Sequence, residues 1–282
     1  MTFSVLISVY IKEKAEFLDR ALKSVYDEQE IKPNQIVLVE DGELTNELYE
    51  MIEIWKNKLG EILEVVKLEK NMGLGDALKI GLEKCKFEMV ARMDSDDISL
   101  PNRFKSQLEV FKNNPNLDIC GSWVGEFEND KNKIYAYRKL PQNHDEIYKF
   151  AKIRCPLNHP SVMFKKSSVL KAGNYQKSLM TEDYFLWVRM LLNGAKFYNI
   201  PEMLVKMRAG KSQLSRRGGL KYAISEFKVQ REFYKFGFLN FYEFARNSSV
   251  KFIVRLLPKA ILSKIYLLLR NKNWFLSKVS KI

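Results

Sequence analysis

Apolar and polar positions change their period repeatedly along this chain, and the changes mark out its elements. Residues 3–10 (FSVLISVY) are almost wholly apolar and rich in β-formers, the pattern of a strand buried on both faces. Residues 16–26 then carry Phe17, Leu18, Ala21, Leu22 and Val25 at helical spacing. The alternation continues with a strand over 35–39, a helix over 44–59, a strand over 62–68 and a helix over 76–85. A fourth strand starts at Phe87 and runs into Asp94-Ser95-Asp96-Asp97. Strands and helices joined by short connections predict an α/β fold with a mostly parallel sheet. Such sheets bind ligands at the carboxyl ends of their strands. Ser8, Asp41 and the Asp94–Asp97 run all fall at those ends.

The pattern changes after a helix over 103–111. Residues 119–127 and 134–140 read as paired strands across a polar connection, followed by a helix over 145–152 and a strand over 160–164. Thr181-Glu182-Asp183 opens an amphipathic helix that stops at Asn193-Gly194. Short strands over 196–200 and 203–207, a basic glycine-flanked loop over 210–219 and a helix over 220–236 complete the body. Residues 1–238 thus form one domain, with a first half over 1–115 and a second over 116–238. Residues 239–282 form a separate tail. From Ser248 onward that tail has no acid, and its Lys and Arg alternate with Phe, Ile, Leu, Tyr and Trp. A basic amphipathic helix of this kind lies on an anionic membrane surface. The plainer reading packs it on the body with its basic face in solvent.

Composition narrows the function. The net charge of +13 demands an anionic partner: nucleic acid, a phosphorylated substrate or a membrane. The three cysteines, Cys85, Cys120 and Cys155, are widely separated, which argues against a disulfide framework or a zinc site and fits a reducing compartment. The start lacks the basic-then-apolar pattern of a secretory signal, and no apolar run nears the roughly 18 residues of a membrane span. The expectation is a cytoplasmic protein, peripheral on the inner face of the plasma membrane.

Candidate chemistry centres on the acidic run. Three carboxylates in four positions repel one another, and Mg²⁺ or Mn²⁺ would relieve that through one or two of them plus substrate phosphates. Alternatively, the run is a solvated turn capping the helix that follows Pro101.

Taken in order, the motifs resemble the family 2 glycosyltransferases of GT-A fold, in the bacterial branch that builds capsular and exopolysaccharides. The resemblance covers residues 3–235. Ser8-Val9-Tyr10 is similar to the family's first nucleotide-contacting strand end, although Ile11 stands where an Asn is usual. Glu40-Asp41-Gly42 resembles the turn whose second acid, here Asp41, reads the uracil ring. Asn71-Met72-Gly73 resembles the family's Asn-x-Gly loop before a helix, and Met93-Asp94-Ser95-Asp96-Asp97 resembles the DxD signature. The resemblance implies that Ser8, Tyr10, Asp41, Asn71, Gly73, Arg92, Asp94 and Asp96 bind a nucleotide sugar, a UDP-sugar. It implies a divalent metal, Mn²⁺ or Mg²⁺, on Asp96 and Asp97. Glu182-Asp183 resembles the acceptor-side motif, with Asp183 as the general base of an inverting transfer. Glu182, His159, Trp187, Arg216 and Arg217 are assigned to the acceptor or the diphosphate, Arg216 and Arg217 on a closing lid. Gln213-Leu214-Ser215-Arg216-Arg217 lacks the Trp of the processive synthases' motif, which implies addition of one sugar. The expected acceptor is a lipid-linked saccharide. A nucleic-acid-binding protein would use the charge but leave Asp41, Asp94–Asp97 and Asp183 without a role, so no nucleic-acid partner is expected. An inactive saccharide-binding subunit would bind donor without turnover.

Overall fold

The computed structural model describes residues 1–176, 181–209 and 219–256. Its centre is a nine-stranded sheet. The first half supplies β1 (Phe3–Val9), β2 (Gln35–Glu40), β3 (Leu63–Lys67) and β4 (Met89–Asp94), all parallel in the order β3-β2-β1-β4. Helices α1 (Ala15–Val25), α2 (Asn46–Leu59) and α3 (Leu74–Lys84) connect them.

The apolar runs of β1 and β2 are explained by packing on both faces. Side chains alternate across a strand. Val5, Ile7, Ile36 and Leu38 join a cluster with α1 and α2, while Leu6, Val37 and Val39 join another with α3. All of these are fully buried, each burial worth roughly 1.5–3 kcal/mol. Neither face could become polar without exposing a core.

The second half is mixed. Strand β6 (Ile119–Phe127) receives β7 (Ala136–Arg138) and β8 (Met163–Lys165) antiparallel and β9 (Phe197–Arg208) parallel, and the two-residue β5 (Ile98–Ser99) pairs antiparallel with β9. Strand β8 joins β4 antiparallel and fuses the halves into one sheet. Helices α4 (Arg103–Asn113), α5 (His144–Ala151), α6 (Lys166–Lys171) and α7 (Glu182–Leu192) flank this half.

Two expectations are corrected here. Residues 160–164 are not one strand: His159–Ser161 is a 3-10 turn, with Pro160 fixing its first turn, and only Met163 onward enters the sheet. The two strands expected over 196–200 and 203–207 are one strand, β9, which accommodates Pro201 by register shifts opposite Ser122 and Trp123.

Beyond the sheet, α8 (Leu220–Lys235) ends at Gly237, whose φ of 73° suits glycine. Helix α9 (Phe241–Leu256) begins at a reciprocal cap: the Asn240 side chain accepts from the Glu243 amide at 2.8 Å, and the Glu243 carboxylate accepts from the Asn240 amide at 2.9 Å. The beginning of the basic tail is therefore a helix packed on the body. The Glu243 carboxylate pairs with Lys152 at 2.9 Å, and Asn247 donates to Gln230 at 3.1 Å. Residues 257–282 lie outside the described residues. Among the described residues, no helix is long and apolar enough to cross a membrane.

Candidate active site

Strand register builds the rim. Ser8 of β1 stands opposite Asp94 of β4, and Val9 stands opposite Glu40 of β2. The Asp41 amide then donates to the Val9 carbonyl at 2.8 Å. Ser8, Asp41 and Asp94 therefore occupy three adjacent strand ends, with exposed Tyr10 just past the first.

Asp41 has a job that its sequence context did not suggest. It is buried, and its carboxylate accepts from the Met72 amide at 2.7 Å and the Gly73 amide at 3.1 Å. The Asn71 side chain donates to the Asp41 carbonyl at 3.1 Å. Gly42 lets the two loops touch: its φ is +85°, and a Cβ there would sit 2.4 Å from the Asn71 nitrogen. Asp41, Asn71 and Gly73 are thus parts of one latch. Both oxygens expected to read a uracil ring are already engaged with backbone amides.

The acidic run carries more negative charge than its surroundings neutralise. Arg92, almost fully buried on β4, pairs through its Nη2 with the Asp94 carboxylate, while its Nε and Nη1 have no hydrogen-bond partner among the described residues. Burial, Asp94 and Glu13 push the Asp96 carboxyl up to about 7. Burial, Asp96 and Asp94 push Asp97 well above the ordinary carboxylate range. Asp97 is 1% exposed; its Oδ1 accepts from the Arg208 amide at 2.7 Å and its Oδ2 has no partner among the described residues. A buried carboxylate oxygen without a partner among the described residues and neighbours driven towards protonation suit a bound cation. Among the described residues no three His, Cys, Asp or Glu side chains form a cage. A divalent ion here would be held by one or two of these carboxylates and completed by ligand oxygens. The capping alternative fails, because the Asn102 that precedes α4 makes no side-chain cap and Asp97 faces β9 instead.

Glu182 and Asp183 form the first turn of α7. The Asp183 Oδ1 accepts from the Tyr184 amide at 2.7 Å, and its Oδ2 lies 3.5 Å from the Cys155 thiol, which donates. Burial, then Asp183, pushes Glu182 up to about 7, with Arg92 opposing and Asp94 adding to the shift. Glu182 therefore lies within electrostatic reach of Arg92 and Asp94, and both acidic motifs feel the one buried guanidinium that Asp94 pairs with. The start of α3 closes the same corner: a Cβ on Gly75 would lie 3.4 Å from that of Glu182.

His159 is held by the Tyr175 hydroxyl at 3.1 Å and stands edge-on to Trp187. Burial and Arg92 push its pKa well below the ordinary value, so the ring is neutral. Trp187 corrects an expectation: at 0% exposure, wedged between His159 and Phe197, it is a core wall and offers no surface to an acceptor. Arg216 and Arg217 lie outside the described residues.

With this geometry in place, comparison with known proteins is informative. The family model described as Glycosyl transferase family 2 matches residues 4–172. This chain belongs to that family. It is a glycosyltransferase of GT-A fold. It is 41% identical, over 94% of each chain, to the UDP-Gal:alpha-D-GlcNAc-diphosphoundecaprenol beta-1,3-galactosyltransferase of Escherichia coli. It is 38% identical to the amylovoran biosynthesis glycosyltransferase AmsE of Erwinia amylovora, over 94% of this chain and 97% of that one. Among solved structures, the mannosyltransferase PcManGT of Pyrobaculum calidifontis superposes with a TM-score of 0.62 at 13% identity, covering 99% of this chain and 83% of that one. S. aureus TarS gives the same score at 19% identity, with 90% of this chain covering 43% of TarS.

For a family 2 glycosyltransferase, four neighbours of the expected residues were not singled out from sequence. Glu13 accepts from the Ser95 hydroxyl at 2.9 Å, and Tyr175 holds His159. Cys155 touches Asp183. Arg208 grips the acidic loop, its Nε donating to the Asp96 carbonyl at 3.2 Å and its guanidinium lying 3.7 Å over the Phe17 ring. Only Arg208 had a signal, as a charge closing an apolar strand beside a glycine loop.

Proposed function

We propose that this glycosyltransferase moves one sugar from a UDP-sugar to a lipid-linked saccharide, with inversion, in the assembly of a cell-surface polysaccharide. The observation that supports the reading is that the Asp94–Asp97 loop pairs with buried Arg92 while the Glu182–Asp183 turn lies within electrostatic reach of the same guanidinium. On this reading a diphosphate-binding rim stands on the same side of the sheet as a carboxylate able to take a proton. The 41% identity to an enzyme named for UDP-Gal and a diphosphoundecaprenol-linked GlcNAc makes galactose the first donor to test, and a polyprenyl-diphosphate saccharide the first acceptor.

Ser8, Tyr10 and the Asp41–Asn71–Gly73 latch form the nucleotide end, and Asp94 and Asp96 face the ribose and diphosphate. A divalent ion on Asp96, with Asp97 behind it, would neutralise the charge that develops on the leaving diphosphate. At the other end, the Asp183 carboxylate removes the proton from the acceptor hydroxyl as its oxygen bonds to the anomeric carbon. The bond from that carbon to the diphosphate oxygen breaks on the opposite face. One base and in-line displacement give inversion. Neutral His159, fixed by Tyr175, lines the acceptor side. Arg216 and Arg217 are assigned to diphosphate by family resemblance. A lipid-linked acceptor brings the protein to a membrane surface.

The test is UDP release from a panel of UDP-sugars, with Mn²⁺ or Mg²⁺, a polyprenyl-diphosphate GlcNAc acceptor, and a chelator control. Metal-dependent release from one donor, with an inverted product anomer, is the expected result. Release unaffected by complete metal removal, or a product with retained anomeric configuration, would sink the mechanism.

A further inference from the structure

From Gly219 to the C-terminus the chain carries thirteen Lys and Arg and three Glu, so ten of its thirteen net positive charges lie there. The α8–α9 hairpin within this segment also shows an aromatic surface. Phe227 and Tyr234 of α8 pack ring to ring with Phe244 of α9 at 5.7 and 5.4 Å, and Tyr234 also meets Phe241. Unlike a core cluster, this one stays open: Phe241 is 68% exposed and its neighbour Tyr242 72%. On α8 the exposed Lys228, Arg231 and Lys235 interleave with these rings.

We propose that this face of the α8–α9 hairpin is a seat for an anionic bilayer surface. The inference deepens the lipid-linked acceptor reading and rests on it. Charge and chemistry favour lipid over a second copy of the chain. A positively charged face repels itself across a two-fold contact, whereas aromatic rings flanked by Lys and Arg suit the headgroup boundary. The 26 residues beyond Leu256 continue the bias, with six Lys or Arg and no acid.

Placement gives the seat a purpose. Helix α8 packs directly on α7, where Phe233 lies 4.8 Å from the Tyr184 ring and stacks on Phe185 at 5.9 Å. The Lys251 ammonium of α9 lies 5.7 Å from the Tyr184 ring centre. Tyr184 follows Asp183 directly. The proposed base therefore rides on the helix that the bilayer-facing hairpin supports, and an acceptor diphosphate anchored in the membrane would be presented to it at headgroup depth.

The experiment is cosedimentation of the full chain with vesicles of phosphatidylglycerol and phosphatidylethanolamine, against phosphatidylcholine vesicles, at rising salt. Binding to the anionic vesicles that weakens with salt is expected. In Lys228→Glu/Arg231→Glu it should fall at least about 25-fold, about fivefold per lost basic group. Phe241→Ser/Tyr242→Ser, at highly exposed positions, should weaken it with no change in melting temperature. Hairpin variants that bind like the parent would overturn the proposal, placing any lipid contact elsewhere. So would light scattering that finds a dimer dissociated by Phe241→Ser/Tyr242→Ser, since the aromatic face would then belong to a second copy. UDP release measured with a soluble acceptor analogue separates the readings. Lost turnover with hairpin-dependent vesicle binding counts against the catalytic proposal alone.

Discussion

The proposed donor rim and the proposed acceptor turn of this glycosyltransferase are both acidic, yet they are held in different ways. The rim is fixed by main chain: parallel register sets Ser8 beside Asp94, backbone amides clamp Asp41, and the Arg208 amide holds Asp97. The turn is fixed by side chains. Asp183 has its neighbour's amide on one oxygen and the Cys155 thiol on the other, and burial and Asp183 raise Glu182 against the weaker pull of Arg92. A rim tied to the sheet gives a rigid frame for a diphosphate. A turn tied by side chains can be retuned for a different acceptor without disturbing that frame. Substitutions at the turn should therefore change chemistry with little effect on stability, and substitutions at the rim should change both.

The widest expected separation comes from Asp183→Asn. Loss of a general base costs about 10²- to 10⁴-fold in kcat. UDP affinity by calorimetry and the melting temperature should stay near those of the parent. A comparable loss of UDP affinity would break the division between rim and turn.

Gly42→Ala probes the rim. A left-handed φ and a Cβ 2.4 Å from the Asn71 nitrogen should together cost about 2–3 kcal/mol in urea unfolding. The same variant should raise KM for the donor, because the 71–73 loop must move away from Asp41. Unchanged stability would mean that the latch is soft.

Why the rim was legible in the sequence and the turn only partly so follows from the same contrast. A parallel strand buried on both faces reads as an apolar run, and its end is visible as the point where polar residues begin. Ser8, Asp41 and Asp94 could be placed on one edge from that alone. The pairing of Asp41 with amides 31 and 32 positions away left no local trace. The second half is built from short antiparallel pieces, such as β5 and β8, whose two or three residues carry no period. Around Pro201 the single strand β9 looked like two. Glu182–Asp183 was recognisable by family resemblance, but Cys155 lies 28 residues away and Tyr175 is fully buried, so only folding reveals them as partners. Trp187 misled because an aromatic near a proposed catalytic base looks the same in sequence whether it faces a sugar or the core.

A smaller effect should appear in pH titration. Glu182 is driven from its ordinary 4.5 to about 7 in the folded state, so the fold holds the proton more tightly than the unfolded chain does. Its contribution is fully present below pH 4.5 and is lost as pH rises through about 7. Stability should accordingly fall across that window in the metal-free protein, and Glu182→Gln should flatten part of the fall. Asp96, Asp97 and Glu40 shift in the same direction and add to the fall, while His144 and His159, held below their ordinary value, oppose it. A slope unaltered by Glu182→Gln would show that Glu182 does not hold its proton more tightly in the fold.

The finest test is at Cys155. Its thiol lies 3.5 Å from the Asp183 carboxylate and 3.4 Å from the Leu157 carbonyl, and burial followed by Asp183 raises its pKa well above the ordinary value. It therefore stays protonated and can only position the base as a weak donor. A donor of this strength is worth about 0.5–1.5 kcal/mol, so Cys155→Ala should lower kcat about two- to tenfold while leaving the donor KM alone. Cys155→Ser keeps a hydroxyl donor in the same place and should restore most of the loss. If Ala and Ser variants fall equally, with matching drops in melting temperature, Cys155 is packing material. Asp183 would then rely on the Tyr184 amide alone, and the acceptor turn would be held by main chain after all, much as the rim is.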